Sequence, residues 1–200
     1  LADELMQGGC CVIGVDPRED PRKVDFPEAA AATNDPDSLT ESFIRLIFSH
    51  FHHIPFQVCE TARLLIRESI SADFEAIRRI ASSSPSNIFT VQAKEMLSDQ
   101  TLFEQYTASA YFFFGYGLWS VCLRETNDVI GWCGLFPSAK EEGKGYALEL
   151  GYMIDPPYRG RGYGFEACSA ICDYAREELG CDMLCLYVPE DNGHSARLAE

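Results

Sequence analysis

Two hundred residues allow one domain, or one domain joined to a piece of another. The formal net charge of −15 at pH 7 argues against a nucleic-acid-binding surface, and 46% hydrophobic residues are enough for a substantial core. An acidic surface would suit a cationic acceptor, although solubility alone explains the same charge.

The cysteines indicate the compartment. There are nine, an odd number, spread along the chain without a C-x-x-C pair. This is not the pattern of a secreted disulfide framework, and it favours a reducing cytoplasm. No apolar run is long enough to span a membrane, and no signal peptide is visible. The chain begins with Leu1, which leaves open that it is a fragment or a processed product.

Residues 1–58 are predicted to be an extension or a fragment of another domain. CCVIGV at 10–15 predicts a short buried strand, and the Pro-, Asp- and Ala-rich segment 16–37 predicts a loop. Ser38-Leu-Thr-Glu41 has the pattern of a capping box that starts a helix. The apolar face of this helix is predicted to consist of Phe43, Ile44, Ile47 and Phe51. The order of strand, loop and helix resembles the tail of a haloacid-dehalogenase-like hydrolase.

Three histidines, His50, His52 and His53, lie at the end of that helix. They invite a metal-site interpretation. Their spacing is not the i, i+4 spacing of a helical metal pair, and no acid or cysteine lies nearby at ligand spacing. We therefore predict no metal site.

Residues 59–200 are predicted to form a second domain. Hydrophobic periodicity predicts strands over 63–68, 118–124, 129–136, 146–154 and 181–188. Helices are predicted over 71–82, within 90–113, over 164–179 and from 192. Thr126-Asn127 is a turn signal that joins two of the strands as a hairpin, and 140–145 reads as a polar loop. The helix over 164–179 is predicted to bury Phe165, Cys168, Cys172, Ala175 and Leu179.

The most informative segment runs from Leu148 to Glu166, LELGYMIDPPYRGRGYGFE. An apolar strand passes through a Pro-Pro turn into RGRGYG and then into a helix. Glycines allow close backbone approach, and the first N–H groups of a helix have no internal partner, so this turn predicts an anion site. A simple tight turn is the alternative. A dinucleotide-binding turn fits poorly, because Phe165 stands where the third glycine of G-x-G-x-x-G belongs.

The spacing R-x-x-G-x-G, with Arg159, Gly162 and Gly164 in the fixed places, resembles the acyl-CoA pyrophosphate loop of the GNAT superfamily of N-acetyltransferases. Thr61–Arg67 and Pro189–Ser195 resemble two further segments of its RimJ/RimL-like branch, which acetylates ribosomal-protein N-termini. The resemblance covers roughly residues 60–200. It implies an α/β fold with a mixed, mostly antiparallel central sheet flanked by helices, truncated after the family's fifth strand because the last two strands are missing.

The same resemblance implies an acetyl transfer from acetyl-CoA to a primary amine, a protein N-terminus or a small amine, by direct attack. The backbone of Tyr152–Ile154 is expected to pair with the pantetheine arm, the N–H groups of Gly160–Phe165 to hold the pyrophosphate, and Asn192 to reach the pantetheine amide. The expected cofactor-binding residues are Tyr152, Met153, Ile154, Arg159, Gly160, Arg161, Gly162, Tyr163, Gly164, Phe165 and Asn192.

The catalytic residues are less clearly indicated. Glu149 is the one carboxylate inside its apolar strand and is the candidate base, although an outward-facing acid without a role is an equal alternative. Many family members carry a tyrosine seven residues after the Asn, as a proton donor to the thiolate. Ala199 stands there, so Ser195, three residues after Asn192, is the candidate donor, with local helix capping as the alternative. Glu166 is expected only to complement the helix dipole.

Two alternatives stay open. The chain could be a non-catalytic CoA-binding or regulatory domain, or an inactive fragment of a hydrolase–acetyltransferase fusion. No nucleic-acid or membrane partner is predicted, and association into a homodimer is left open.

Overall fold

The computed structural model of the protein describes residues 2–16, 29–83, 95–138, 147–188 and 192–199. The chain divides into two compact units, Leu1–Phe56 and Gln57–Glu200. The predicted loop at 140–145, the predicted start of a helix at 90, residues 189–191 and most of the predicted loop 16–37 lie outside the described residues.

In its described residues, the first unit contains two short strands and two α-helices. Helix α1 covers Ala2–Gln7, and strand β1 (Ile13–Val15) pairs in parallel with β2 (Ala31–Thr33), which the sequence assigned to a loop. Helix α2 covers Glu41–Phe51.

The cap of α2 differs from the prediction. Thr40, not Ser38, is the N-cap, and its Oγ1 accepts the Phe43 amide at 3.2 Å. Ser38 ends a preceding 3-10 turn that starts at Pro36, and its hydroxyl donates to the Asp35 carbonyl. The capping-box prediction at Ser38 was therefore wrong, because the local turn already uses that hydroxyl.

The predicted apolar face of α2 is only partly buried. Ile47 is buried, whereas Ile44 is 46% exposed. His50 lies in the last turn of the helix and His52 is its C-cap. Across the described residues, no group of three His, Cys, Asp or Glu side chains is placed to hold a metal ion. That no metal binds at the histidines stays a prediction.

Among its described residues, the second unit is built on a six-stranded sheet in the order β3-β4-β5-β6-β7-β8. The strands are β3 (Gln57–Glu60), β4 (Leu64–Glu68), β5 (Leu118–Leu123), β6 (Val129–Pro137), β7 (Ala147–Ile154) and β8 (Met183–Cys185). Neighbouring strands are antiparallel except β7 and β8, which are parallel. The predicted mixed, mostly antiparallel sheet flanked by helices is confirmed.

Helices cover both faces of this sheet. They are α3 (Phe74–Ser82), α4 (Gln100–Phe114), α5 (Tyr163–Glu177) and α6 (Gly193–Ala199). One face packs against α3 and α4 in a buried cluster that includes Ile77, Phe103, Trp132 and Met153. Side chains alternate between faces along a strand, so Trp119, next to the clustered Leu118, points the other way. There it contacts Tyr174 of α5 edge-on, with ring centroids 5.6 Å apart.

Three sequence predictions for this unit need correction. Phe165 is 63% exposed rather than buried, and Ile171 takes a core position on α5 instead, because the first turn of the helix overhangs a cleft. Strand β8 covers only Met183–Cys185 of the predicted 181–188. The edge strand β3 was not predicted. None of the described helices is long and apolar enough to cross a membrane.

Candidate functional site

Strands β7 and β8 separate to form the floor of a cleft. Strand β7 pairs with β6 along 148–154, but it pairs with β8 only along 147–149. Within the described residues, the remainder of β7 therefore has no strand partner on its β8 side. A cleft of about 720 Å³ opens beyond this point. It is lined by Tyr152, Met153, Ile154, Tyr158, Arg159, Gly160, Gly162, Tyr163, Gly164, Phe165, Asn192, Ser195 and Leu198.

The glycine-rich loop forms one wall of the cleft. Gly160 has φ +73° and Gly162 has φ +82°, in the left-handed region that residues with a Cβ rarely adopt. Gly162 is the N-cap of α5, and its carbonyl accepts the Glu166 amide at 3.0 Å. The preceding N–H groups, those of 163–165, have no partner within the helix, because an α-helix always leaves its first donors unpaired. The loop therefore presents backbone donors at the cleft.

Gly164 is required for a different reason. A Cβ at this position would lie 3.1 Å from Cε2 of Tyr152, closer than ordinary contacts. The missing side chain lets the first turn of α5 pack on the Tyr152 ring. This contact holds the first turn of α5 beside the part of β7 that lies beyond its pairing with β8.

The two arginines of the loop are held differently. Nε of Arg159 donates to the Ile154 carbonyl at 2.7 Å, and its Nη2 donates to the Ser83 hydroxyl at 3.1 Å. Its guanidinium therefore braces the loop against the end of β7 as well as lining the cleft. Arg161 does not line the cleft, and its guanidinium carbon lies 5.8 Å from the ring centre of Tyr158.

Three residues, Thr61, Arg63 and Glu166, tie the loop to the start of β4, and we call them the loop clamp. Glu166 Oε1 accepts the Thr61 hydroxyl at 2.6 Å and the Arg63 amide at 3.0 Å, and Oε2 accepts Arg63 Nε at 2.7 Å. Arg63 Nη1 donates to the Arg161 carbonyl at 2.9 Å, and the guanidinium lies 4.3 Å above the Tyr163 ring.

The clamp corrects the sequence interpretation of Glu166, which assigned it only to the helix dipole. Although burial alone would raise the pKa of Glu166, the hydrogen bonds from Thr61 and Arg63 lower it below its ordinary value. The carboxylate is thus stabilised as an anion in a fixed position. No local signal shows this contact, because Arg63 and Glu166 are 103 residues apart in the sequence.

The opposite wall is formed by α6. Asn192 precedes this helix, and its Oδ1 accepts the Ser195 amide at 3.2 Å. The Ser195 hydroxyl lies 2.9 Å from the Tyr152 hydroxyl, so the two form a hydrogen bond across the cleft. Burial raises the pKa of Tyr152, and the hydrogen bond with Ser195 offsets only part of this effect. Tyr152 is therefore protonated at neutral pH and able to donate a proton.

Glu149 lies at the point where β7 and β8 separate. It is paired with Cys185 in the last register position of the two strands. It is three residues from Tyr152, so the two side chains lie on opposite faces of the sheet. Glu149 does not line the cleft, and it shares its face with Met153, which packs against α3. Burial raises the pKa of Glu149.

The structure therefore brings most of the predicted site residues together. Of the cofactor-binding set, all but Arg161 line one cleft, and Ser195 lines it too. The two residues outside the cleft are Arg161 and Glu149. Sequence reasoning missed the clamp and the hydrogen bond between the Tyr152 and Ser195 hydroxyls.

Comparisons with known proteins agree on one family. The model of the acetyltransferase (GNAT) domain matches residues 63–200. The chain is 28% identical over 145 residues to the uncharacterized N-acetyltransferase YoaA of Bacillus subtilis, covering 72% of this chain and 80% of YoaA.

Solved structures show the same similarity. An acetyltransferase from Agrobacterium tumefaciens is 28% identical with a TM-score of 0.54, over 70% of this chain and 79% of that one. The acetyltransferase yncA of Salmonella typhimurium, determined with its cofactor acetyl-CoA, is 23% identical with a TM-score of 0.51. The match covers 68% of this chain and 75% of yncA, and at this identity the likeness is one of fold.

Proposed function

Because the chain belongs to the GNAT family of acetyltransferases, we propose that its cleft binds acetyl-CoA and directs the acetyl group to a primary amine. The family consists of acyl-CoA-dependent N-acyltransferases, and acetyl-CoA is its co-substrate. These findings confirm the family and the co-substrate that the motifs predicted. The acceptor and the residues that carry out the transfer are our proposals.

One observation carries the proposal, namely the geometry of the loop above the open end of β7. The left-handed glycines Gly160 and Gly162 keep side chains away from the loop surface, and the first turn of α5 offers unpaired N–H donors. A helix N-terminus of this kind suits a diphosphate. Within the described residues, the edge of β7 at Tyr152–Ile154 has no strand partner on its β8 side, and its backbone groups that are not bonded to Arg159 are offered to the amides of a pantetheine arm, in the manner of an added strand. Asn192 also lines the cleft, and we assign its side chain to the same arm.

The chemistry of the transfer needs a proton acceptor and a proton donor. Acetyl-CoA supplies a thioester, which a neutral amine converts to an amide with release of the CoA thiol. An α-amine has a pKa of about 7.7–8.0 and a lysine amine about 10.4, so most acceptors arrive partly or wholly protonated. We assign proton acceptance to Glu149, through water, because it lies where β7 and β8 separate and because burial raises the pKa of its carboxylate, which makes it a stronger proton acceptor.

We assign proton donation to the pair of Tyr152 and Ser195. Their hydroxyls are hydrogen-bonded at 2.9 Å within the cleft. Burial raises the pKa of Tyr152, so its hydroxyl stays protonated until the thiolate departs, and the hydrogen-bonded Ser195 hydroxyl is placed to return a proton to Tyr152 afterwards. This pair stands in for the tyrosine that the sequence lacks at Ala199.

The resemblance of Thr61–Arg67 and Pro189–Ser195 to the RimJ/RimL-like branch favours a protein N-terminus as the acceptor, with small amines as the alternative. The net charge of −15 supports a cationic acceptor of either kind. All nine cysteines are free, which supports the proposed cytoplasmic location.

A paired measurement tests the proposal. Calorimetry should show that the purified protein binds acetyl-CoA, and a CoA-release assay with peptide N-termini, polyamines and amino sugars should identify an acceptor. Tyr152→Phe and Ser195→Ala should lower turnover and leave acetyl-CoA affinity nearly unchanged. Binding without transfer to any amine would instead assign the chain as a CoA-binding domain, and absence of binding would remove the cofactor proposal.

A further inference from the structure

The loop clamp controls the orientation of one peptide unit. In a trans peptide the carbonyl and the following N–H point in opposite directions. Arg63 Nη1 fixes the Arg161 carbonyl toward β4 at 2.9 Å. The Gly162 N–H must then point away from Arg63. Gly162 lines the cleft, so the clamp holds the Arg161 carbonyl toward β4 and leaves the Gly162 N–H on the side of the loop away from Arg63.

Arg63 is itself held in place. Glu166 contacts it at the backbone amide and at Nε, and its carboxylate lies 2.6 Å from Nη2 in an ion pair. The Tyr163 ring covers one face of the guanidinium. The Thr61 hydroxyl also donates to Oε1 of Glu166, the oxygen that accepts the Arg63 amide. With these partners the guanidinium has one well-defined orientation, which is a condition for fixing the carbonyl of Arg161.

We propose that the loop clamp is a positioning device for the glycine-rich loop and sets the affinity for the diphosphate of acetyl-CoA, while making no direct contact with the reacting atoms. The proposal rests on the function proposed above. If the clamp were lost, the Arg161 carbonyl could turn toward the cleft, where its partial negative charge would repel the diphosphate. The pantetheine arm, which is assigned to β7, would be unaffected.

Two acetyl donors separate this role from a purely structural one. S-acetylpantetheine lacks the diphosphate and the nucleotide, whereas acetyl-CoA carries both. Arg63→Gln and Glu166→Gln should each lower kcat/KM for acetyl-CoA by about tenfold or more, the scale of one hydrogen bond to a charged group, mainly through KM. The same variants should leave kcat/KM for S-acetylpantetheine unchanged.

Arg124→Gln is the matched control. Arg124 is as exposed as Arg63, with 46% against 45% of the side chain accessible. It also forms an ion pair, with Glu60 at 2.7 Å, and donates to the Thr61 carbonyl at 3.0 Å. It is not bonded to the glycine-rich loop. Arg124 contacts the Thr61 carbonyl and not the Thr61 hydroxyl that donates to Glu166, so Arg124→Gln should leave kcat/KM unchanged for both acetyl donors.

The direction of the change in acetyl-CoA affinity in Glu166→Gln tests whether Arg63 binds phosphate directly. If Arg63 were a phosphate ligand, removing the negative charge of Glu166 would tighten acetyl-CoA binding, and that result would overturn the proposal. An equal loss of kcat/KM with acetyl-CoA and with S-acetylpantetheine would also overturn the proposal, because the clamp would then only support the fold. If the parent protein transfers acetyl from neither donor, the proposed function fails, and calorimetric affinity for CoA against pantetheine then decides the role of the clamp.

Discussion

The left-handed backbone of Gly162 permits a quantitative test of the loop. Gly162 has φ +82°, and a Cβ added there would lie 3.4 Å from Arg63 Nη2, which is ordinary contact. Gly162→Ala therefore creates no clash, and its cost is the backbone strain of a residue with a Cβ, about 1–2 kcal/mol. This strain is present whenever the loop adopts the conformation described above.

The strain can appear in two places. If the free protein keeps the loop conformation, its free energy of unfolding falls by about 1–2 kcal/mol. If the free loop relaxes, acetyl-CoA must restore the conformation, and affinity falls by a factor of about 5–30. In both cases the free energy of unfolding of the acetyl-CoA complex is about 1–2 kcal/mol lower than that of the parent complex. The loss of stability in the free protein and the loss of binding free energy together always equal the strain.

Gly180→Ala is the matched control. Gly180 has φ +59°, nothing lies within 4 Å of its added Cβ, and it follows the opposite end of α5. It should lower stability by a similar amount and leave acetyl-CoA affinity unchanged. The assay is chemical denaturation with and without acetyl-CoA, together with calorimetry. A Gly162→Ala complex as stable as the parent complex would refute the reasoning, since bound acetyl-CoA would not need the left-handed backbone.

Two further predictions concern the core and the candidate base. Asp73→Ala should lower the free energy of unfolding, measured by urea denaturation, by about 3–5 kcal/mol, because it leaves the Arg67 charge buried without its bidentate partner. Glu75→Ala is the control, because Glu75 forms an exposed ion pair with Arg78, and it should change stability little. Burial raises the pKa of Glu149, so if its carboxylate accepts the proton, kcat should fall as the pH drops through a value above the ordinary glutamate pKa of about 4.3. Glu149→Gln should lose this acid limb, and a limb that persists in the variant would assign it to the acceptor amine.

The features that could be predicted from the sequence are local ones. The turn at Thr126-Asn127 joins β5 and β6 as predicted, with Asn127 at φ +60°. The glycine-rich loop was also predictable, because the transition from strand to helix and the spacing of its glycines lie within a few residues. Both features depend on backbone conformation, which the residues themselves restrict.

The features that were missed depend on contacts between distant segments. Helical periodicity predicted Phe165 to be buried, but it is exposed. Periodicity identifies the apolar face of a helix and does not show which turn of that face is left uncovered in the fold. The hydrogen bond between Tyr152 and Ser195 and the clamp on Glu166 join segments separated by 43 and about a hundred residues. Such contacts follow from the arrangement of β4, β7 and the two helices at the cleft.

The positions of Glu149 and Tyr152 on opposite faces of β7 have a kinetic consequence. If one accepts a proton from the amine and the other donates to the thiolate, the amine and acetyl-CoA must reach the gap between β7 and β8 from different sides. Both substrates can then be bound at once. A covalent acetyl-enzyme is disfavoured, because no cysteine lines the cleft in the described part of the chain. Cys133 lies on the same face of the sheet as Tyr152, but it is buried, and its hydrogen bond with Cys168 and its burial raise the pKa of its thiol. Initial rates at varied concentrations of both substrates should therefore give intersecting double-reciprocal lines. Parallel lines, or acetylated protein recovered after incubation with acetyl-CoA alone, would contradict direct transfer across the sheet.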